Sequence, residues 1–493
     1  MEQNQPSTSG LRRVAIDPIS RVEGHGKITL LLDDENHIRE ARLHIVEFRG
    51  FEKFIQGRPY WEVPIFVQRL CGICPVSHHL VAAKAVDQLA GVDRLTPTAE
   101  KIRRLLHFGQ VLQSHALHFF HLSSPDLLFG FGSDMAKRNI VGVLEKYPDI
   151  ALKGVKMRKY GQRIIETISG KRIHGTIAVP GGVNKSISIA ERDAMLADID
   201  DILAWSQDAL ALNEYIHGAH TEHYSFATIR SNFLSMVGGN GELELYHGGL
   251  RARSATGDVL FDQFDYCGYR DILREEVRPW SYMKFPFLTA LGKEQGWYRV
   301  GPLARVNNCD SISTPLAEAA RKRFRDFAQG GLVHDTLAYH WARMIETLHC
   351  AESIQQLLHD PDITGTDLLE DKGDRRKVGI GVLEAPRGTL FHHYEIDDDG
   401  MVAKANLIVS TTSNNQAMNE SVRAVANEYL DGKEITEGLL NHLEVAVRAY
   451  DPCLSCATHA LGKMPLTVEL QDSSGSVVST LLRSADGEFC AAP

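Results

Sequence analysis

Long apolar runs are missing from this chain. None approaches the ~18 residues that a helix needs to cross a bilayer, so a membrane span is not expected. An excess of positive charge is missing too. Lys plus Arg number 53 against 63 Asp plus Glu, a net charge of −10, which argues against nucleic acid as a partner. The stretch Met1 to Gly10 is polar and lacks an apolar signal core, so the expected compartment is the cytoplasm. No internal repeat or low-complexity linker interrupts the chain. No Gly-x-Gly-x-x-Gly opens a helix, so a dinucleotide site of that type is not expected in it. Cysteine is scarce: eight in 493 residues exclude a disulfide scaffold.

The distribution of those eight is what carries information. Cys267, Cys309, Cys350 and Cys490 are scattered singly and read as inert thiols. The other four form two pairs, Cys71-Gly72-Ile73-Cys74 with His78 after it, and Cys453-Leu454-Ser455-Cys456 with His459 after it. Two Cys-x-x-Cys pairs in a chain without a secretory signal point to metal or redox work.

The rest reads as a scaffold, mainly α with a small β part (α+β). Residues 27–32 and 41–46 are apolar runs around a turn-like cluster at 33–37, which predicts an antiparallel hairpin near the N-terminus. Thr96-Pro97 opens a helix to about Leu122. Ser188 and Glu191 form a capping box before a helix expected to run through His217. Further helices are expected over 315–327, 334–359 and 435–450, with short buried strands at 378–382 and 407–410. After His459 the runs 466–470 and 477–481 predict another hairpin. Residues 1–459 are expected to be a single domain, with 460–493 an extension of different character.

Pro75 at the first helical position sets Cys74 at a helix N-terminus. Asp451-Pro452 predicts the same for Cys453 and Cys456, as an N-cap before a first helical turn. A helix N-terminus favours thiolate, the form that binds metal. A structural zinc site uses the same four ligands, but its pairs sit within some tens of residues. Here 378 residues lie between Cys74 and Cys453, and a chain with so large a core does not need a clip of that span.

Five stretches together carry a family likeness: Ser20-Arg21-Val22-Glu23-Gly24-His25, Phe48-Arg49-Gly50-Phe51-Glu52, Arg69 to His78, Glu384-Ala385-Pro386-Arg387-Gly388, and Asp451 to His459. The chain resembles the large, catalytic subunit of nickel–iron hydrogenases, most closely the soluble NAD-reducing type. The resemblance covers essentially its whole length. It implies that fold, with a helical core and N-terminal antiparallel strands, and reversible heterolytic cleavage of H2 to protons and electrons.

What the resemblance implies runs residue by residue. Cys71, Cys74, Cys453 and Cys456 would hold nickel, with Cys74 and Cys456 bridging to an iron that carries carbon monoxide and cyanide. Soft thiolates suit both metals. Glu23 would take the proton from Cys453 and Arg387 would overhang the metals. The plain alternatives are a surface carboxylate and a turn-stabilising arginine. Glu52, His459 and the backbone carbonyl of Leu407 would bind Mg2+. His78 would donate toward a bridging sulfur, and Thr411 would face a cyanide. His459–Ala460 would be the bond cut by a maturation endopeptidase, with nickel-insertion chaperones acting first. Two departures from many relatives are visible: Ser114 stands where an acidic residue near Arg387 is expected, and Ser410-Thr411-Thr412-Ser413 lacks a proline.

The remaining cysteines have no ferredoxin-like spacing, so the electrons need an iron–sulfur small subunit. FMN and NAD would lie on diaphorase partner subunits. Alternatives are a hydrogen-sensing regulatory hydrogenase or a non-catalytic subunit like that of the complex I quinone module. The four cysteines weigh against the second.

Overall fold

The computed structural model describes residues 11–458 and three strands beyond them, 466–471, 477–483 and 489–491. At the N-terminus, β1 (Arg12–Ile16), β2 (Gly26–Leu32) and β3 (Ile38–Ile45) form an antiparallel sheet in that order. Alternation along β2 and β3 turns Ile28, Leu30, Leu43 and Ile45 inward, as the period-2 pattern requires.

A helical core follows. α1 (Pro75–Leu89) is buried along nearly its whole length. α2 (Pro97–Leu117), capped by the Thr96 hydroxyl, widens into a π turn over His118–Ser123. It packs on α3 (Pro148–Ser169) and on α4 (Ala338–His359). The helix expected from Ser188 to His217 is two helices. The capping box forms, but Ile189–Leu196 ends and Ile199–Ala219 starts afresh. The Met195 carbonyl accepts the Tyr160 hydroxyl at 3.0 Å, and Asp198 pairs with Arg163 at 2.7 Å. Both partners lie on α3, so tertiary bonds replace helical ones at the break.

The β content includes one sheet with no counterpart among the expected strands. A four-stranded sheet joins Tyr298–Arg299, Asn232–Val237, Gly249–Arg253 and Val259–Phe264 in that order. Asn232–Val237 is buried at every residue, which erases the alternation that marks a strand in sequence. A second sheet consists of β4 (Val378–Ala385), β5 (Gly388–Ile396) and β6 (Val402–Ile408). The strand expected over 407–410 therefore ends at Ile408, and Ser410–Ser413 is a helical turn. In the tail, 466–471, 477–483 and 489–491 pair antiparallel with one another.

One packing contact places the site. α1 lies directly on β4, at positions 379 and 381. A Cβ at Gly381 would come 2.0 Å from the Val81 carbonyl oxygen, and one at Gly379 2.2 Å from that of Ala85. Only glycine lets helix and strand approach so closely. The N-terminus of α1 carries Cys74. The end of β4 leads into the two-residue loop Pro386–Arg387, closed by the Ala385–Gly388 pair.

Candidate metal centre

Cys74 is the N-cap of α1, with Pro75 at its first position. The Ile73 and Cys74 amides donate to the Cys71 sulfur at 3.2 and 3.1 Å. Cys453 and Cys456 arrive differently. The expected helix after Asp451-Pro452 is absent: Asp451 has φ +54°, and only a single 3-10 turn, Ser455–Ala457, follows. Asp451 cannot cap because Arg387 takes it, Nε donating to its carbonyl at 2.5 Å and Nη2 to its carboxylate at 2.9 Å. The amides of 453–455 are satisfied from elsewhere instead. Cys453 donates to the Thr411 hydroxyl (3.0 Å), Leu454 to the Glu23 carbonyl (3.0 Å) and Ser455 to the Glu23 carboxylate (3.2 Å).

The four sulfurs converge. Cys71 lies 3.1 Å from Cys74 and 3.4 Å from Cys453, and Cys453 lies 2.9 Å from Cys456. All four are buried free thiols whose sulfurs lie within 4.8 Å of one another. Hydrogen bonds from Cys453, Cys456, Cys71 and His78 hold the Cys74 thiol well below its usual range, against burial. Burial pushes Cys453 and Cys456 up. A buried, soft, four-sulfur donor set fits a thiophilic metal, which would displace the remaining protons.

Around the sulfurs stand most of the residues singled out from the sequence. The Glu23 carboxylate lies 2.9 Å from the Cys453 sulfur. Arg387 is buried and lines one small cavity with Cys74, His78, Thr411, Cys453 and Cys456. Its Nη1 has no hydrogen-bond partner. Burial opposes its charge, but the Asp451 carboxylate and the sulfurs more than offset this and hold the guanidinium protonated. The acid against Arg387 is therefore Asp451. Ser114 is buried on α2 with its hydroxyl unpartnered.

Glu52 is buried and accepts the Leu407 amide at 2.8 Å, so two of the three residues expected at a Mg2+ site are neighbours. The third, His459, and the bond to Ala460 lie outside the described residues. The Arg49 amide bonds the Thr458 carbonyl at 2.9 Å, so residue 458 lies beside the segment that carries Glu52.

Several residues of the site were not found from the sequence. His78 Nδ1 meets His392 Nε2 at 3.1 Å, and His392 Nδ1 meets the Tyr394 hydroxyl at 2.5 Å. The i, i+2 spacing of His392 and Tyr394 on one face of β5 was their only signal. Arg305 supports the Arg387 loop from below. It donates to the Ala385 and Pro386 carbonyls (2.9 and 3.2 Å) and pairs with Glu346 and Glu384 (2.5 and 2.8 Å). All three charged side chains are fully buried. Nothing local in the sequence links them.

Known proteins share this arrangement of sequence and fold. A family model described as nickel-dependent hydrogenase matches residues 49–129 and 264–459, and a HoxL-like one matches 13–48. The chain is 48% identical to the NAD-reducing hydrogenase HoxS subunit beta of Cupriavidus necator, over 96% of this chain and all of that one. It is 38% identical to a vhc subunit of the F420-non-reducing hydrogenase of Methanococcus voltae, again over 96% of this chain and all of that one. Among solved structures, an NAD+-reducing [NiFe]-hydrogenase in the H2-reduced state superposes with a TM-score of 0.89 at 57% identity, covering 91% of this chain and 99% of that chain. The [NiFeSe]-hydrogenase of Dm. baculatum shares the fold at a TM-score of 0.74 and 22% identity, covering 91% and 100%.

Proposed function

The chain belongs to the nickel-dependent hydrogenase family, and from that premise we propose that it is the catalytic subunit of a soluble hydrogenase that splits H2 reversibly and delivers the electrons, through partner subunits, to NAD+. The observation that carries this is the meeting of four buried thiols, drawn from the two ends of the chain, beside a carboxylate 2.9 Å from one of them.

Cys71, Cys74, Cys453 and Cys456 would hold nickel, and Cys74 and Cys456 would share an iron carrying carbon monoxide and cyanide. Glu52, the Leu407 carbonyl and His459 would hold Mg2+. When bound, the nickel–iron centre supplies the Lewis acidity that polarises H2 for heterolytic cleavage. The chain's own part is to receive and move the proton. The Cys453 sulfur takes it and the Glu23 carboxylate, 2.9 Å away, carries it on. Arg387 keeps a fixed positive charge over the cavity, and His78 adds a hydrogen bond toward Cys74 to those from the neighbouring thiols. Thr411 orients Cys453 through its amide.

Electrons must leave by another chain. Among the described residues no second cysteine cluster exists: Cys267 is exposed, and Cys309 and Cys350 are buried singly. Phe48, Phe54, Trp61 and Ile65 expose their side chains along the segment that carries Glu52. That apolar display supports docking of an iron–sulfur small subunit there, with FMN and NAD on diaphorase subunits beyond it. No helix among the described residues is long and apolar enough to cross a membrane, and we place the enzyme in the cytoplasm.

Residues 1–459 form the working domain in this proposal. A maturation endopeptidase cuts at His459–Ala460 after nickel-insertion chaperones have acted. The self-contained strand pairing of the tail supports its treatment as a separate piece. Intact mass of the active subunit is expected to end at His459; an active subunit retaining all 34 following residues would overturn this step. For the function itself, metal analysis and infrared spectroscopy of the purified complex are expected to give nickel, iron, and carbon monoxide and cyanide bands, with H2-dependent NAD+ reduction. Zinc alone, without those bands, would overturn it.

A further inference from the structure

A second group of metal-type ligands shares no residue with the four-cysteine centre. His220, Glu222 and His223 each offer one ligand atom, and these atoms all lie within 4.8 Å of one another. Local backbone brings them together. The helix Ile199–Ala219 stops at His220, whose φ −120° and ψ 60° leave the helical region, and a single 3-10 turn, Thr221–His223, follows. The His223 amide donates to the His220 carbonyl at 3.0 Å and closes the turn. In such a turn the side chains at i and i+3 lie over one another. The two rings accordingly stack, with centroids 5.6 Å apart and planes 23° from parallel.

Packing aims two nitrogens at one oxygen. The His223 ring lies flat on Phe131, with centroids 4.4 Å apart and planes 16° from parallel, and Phe226 stands edge-on beside it. Its Nδ1 is buried, and its Nε2 lies 3.9 Å from Glu222 Oε1. His220 Nδ1 lies 2.9 Å from the same oxygen. Around a tetrahedral zinc ion bound at about 2.0 Å, neighbouring ligand atoms sit roughly 3.3 Å apart, between these two separations. A simple ion pair needs one ring, whereas here two converge on the carboxylate. Among the described residues no lysine or arginine pairs with Glu222; its charged neighbours are the two imidazoles. The end of the helix adds to this, because its last carbonyls carry partial negative charge that favours a cation. His217, one turn earlier, is turned into Tyr224, Phe327 and Trp341 and takes no part.

We propose that His220, Glu222 and His223 bind a divalent transition-metal ion of the zinc class, with water completing the coordination. Two imidazoles and a carboxylate suit Zn2+, whereas Mg2+ and Ca2+ favour oxygen ligands throughout. Three protein ligands leave a fourth position open. The side chains of His220, Glu222 and His223 are 47%, 61% and 25% exposed, so the ion enters and leaves without unfolding the chain. Once bound, it fastens the end of the helix to the turn that packs on Phe131.

The test uses the purified complex with its nickel–iron centre loaded. Zinc sulfate is added at micromolar concentration, the excess is removed by gel filtration, and the bound metals are counted. Wild type is expected to gain one equivalent of zinc over Glu222→Gln and over His220→Ala. Both are exposed changes that leave the His223 ring on Phe131. X-ray absorption at the zinc edge, which needs no variant, is expected to show nitrogen and oxygen neighbours at about 2.0 Å and no sulfur. That result separates this site from the cysteines. Equal zinc uptake by wild type and both variants, uptake only at millimolar zinc, or sulfur neighbours alone would each overturn the site.

Discussion

Cys71 and Cys74 reach the centre on their own backbone, whereas Cys453 and Cys456 are held there by segments remote in sequence. In the first pair, the amides of Ile73 and Cys74 bond the Cys71 sulfur, and a 15-residue helix begins at once. In the second pair the amides of Cys453, Leu454 and Ser455 bond Thr411 and Glu23. The preceding Asp451 is turned away to Arg387. Local structure thus builds one half of the site and tertiary structure the other. A half held by outside contacts can be positioned last.

Four experiments break or sharpen this contrast, beginning with the largest effect. Cys453→Ser is expected to abolish nickel binding and turnover, and Cys71→Ser to do the same, because a hydroxyl is a hard and poorly ionised ligand. Metal analysis checks this, and nickel retained at full occupancy in either variant would exclude that sulfur as a ligand.

Beyond the ligands the halves should diverge. Asp451→Asn leaves the buried Arg387 charge without its carboxylate and is expected to cost about 3–5 kcal/mol. Thermal unfolding measures the loss. Exposure of the 451–458 segment to protease before global unfolding would show that the second half loosens first.

Acid should act on the first half. His79 on α1 is buried, with Nδ1 at 2.9 Å from the Pro64 carbonyl and Nε2 accepting the Ala178 amide at 3.0 Å. That pairing needs the neutral ring, and burial lowers its pKa from 6.5 to about 4. Between these two values the unfolded chain binds a proton at this ring and the folded one does not. Stability is therefore full above pH 6.5 and falls as the pH drops toward 4, by roughly 3 kcal/mol for this group. His79→Gln is expected to flatten that part of the unfolding curve against pH; an unchanged slope would remove His79 as its cause.

The smallest effects make the sharpest comparison. Thr411→Val orphans the buried Cys453 amide and is expected to cost about 1–3 kcal/mol. Pro75→Ala, at the corresponding entry to the first half, is expected to cost less than about 1 kcal/mol. Equal losses, measured by denaturant midpoint, would mean the two halves do not differ in their dependence on remote contacts.

Legibility followed the same division. Helices with local caps were readable: Thr96 and Ser188 cap as expected, and Pro315–Phe327 forms where the pattern puts it. The break at Ala197–Asp198 was not, because its cause lies on α3. Asn232–Val237 was missed because full burial removes periodicity. In the site, the cysteines, Glu23 and Arg387 stood out through their motifs. Ser455 and His392 did not, since each acts through a partner far away in sequence.

By itself, the sequence determined which atoms are available: eight cysteines of which four are paired, a carboxylate in a glycine-flanked turn, and an arginine after a proline. It also determined the local geometry that needs only neighbouring residues, such as the helix that starts at Pro75. Tertiary structure decided the rest. It turned Asp451 from a helix cap into the partner of Arg387, set Glu23 2.9 Å from Cys453, and linked the Ser455 amide to Glu23. The physical reason is that a helix start is fixed by dihedral preferences and hydrogen bonds within a few residues. A meeting of four sulfurs depends instead on how helices and sheets hundreds of residues apart bury their apolar faces against one another.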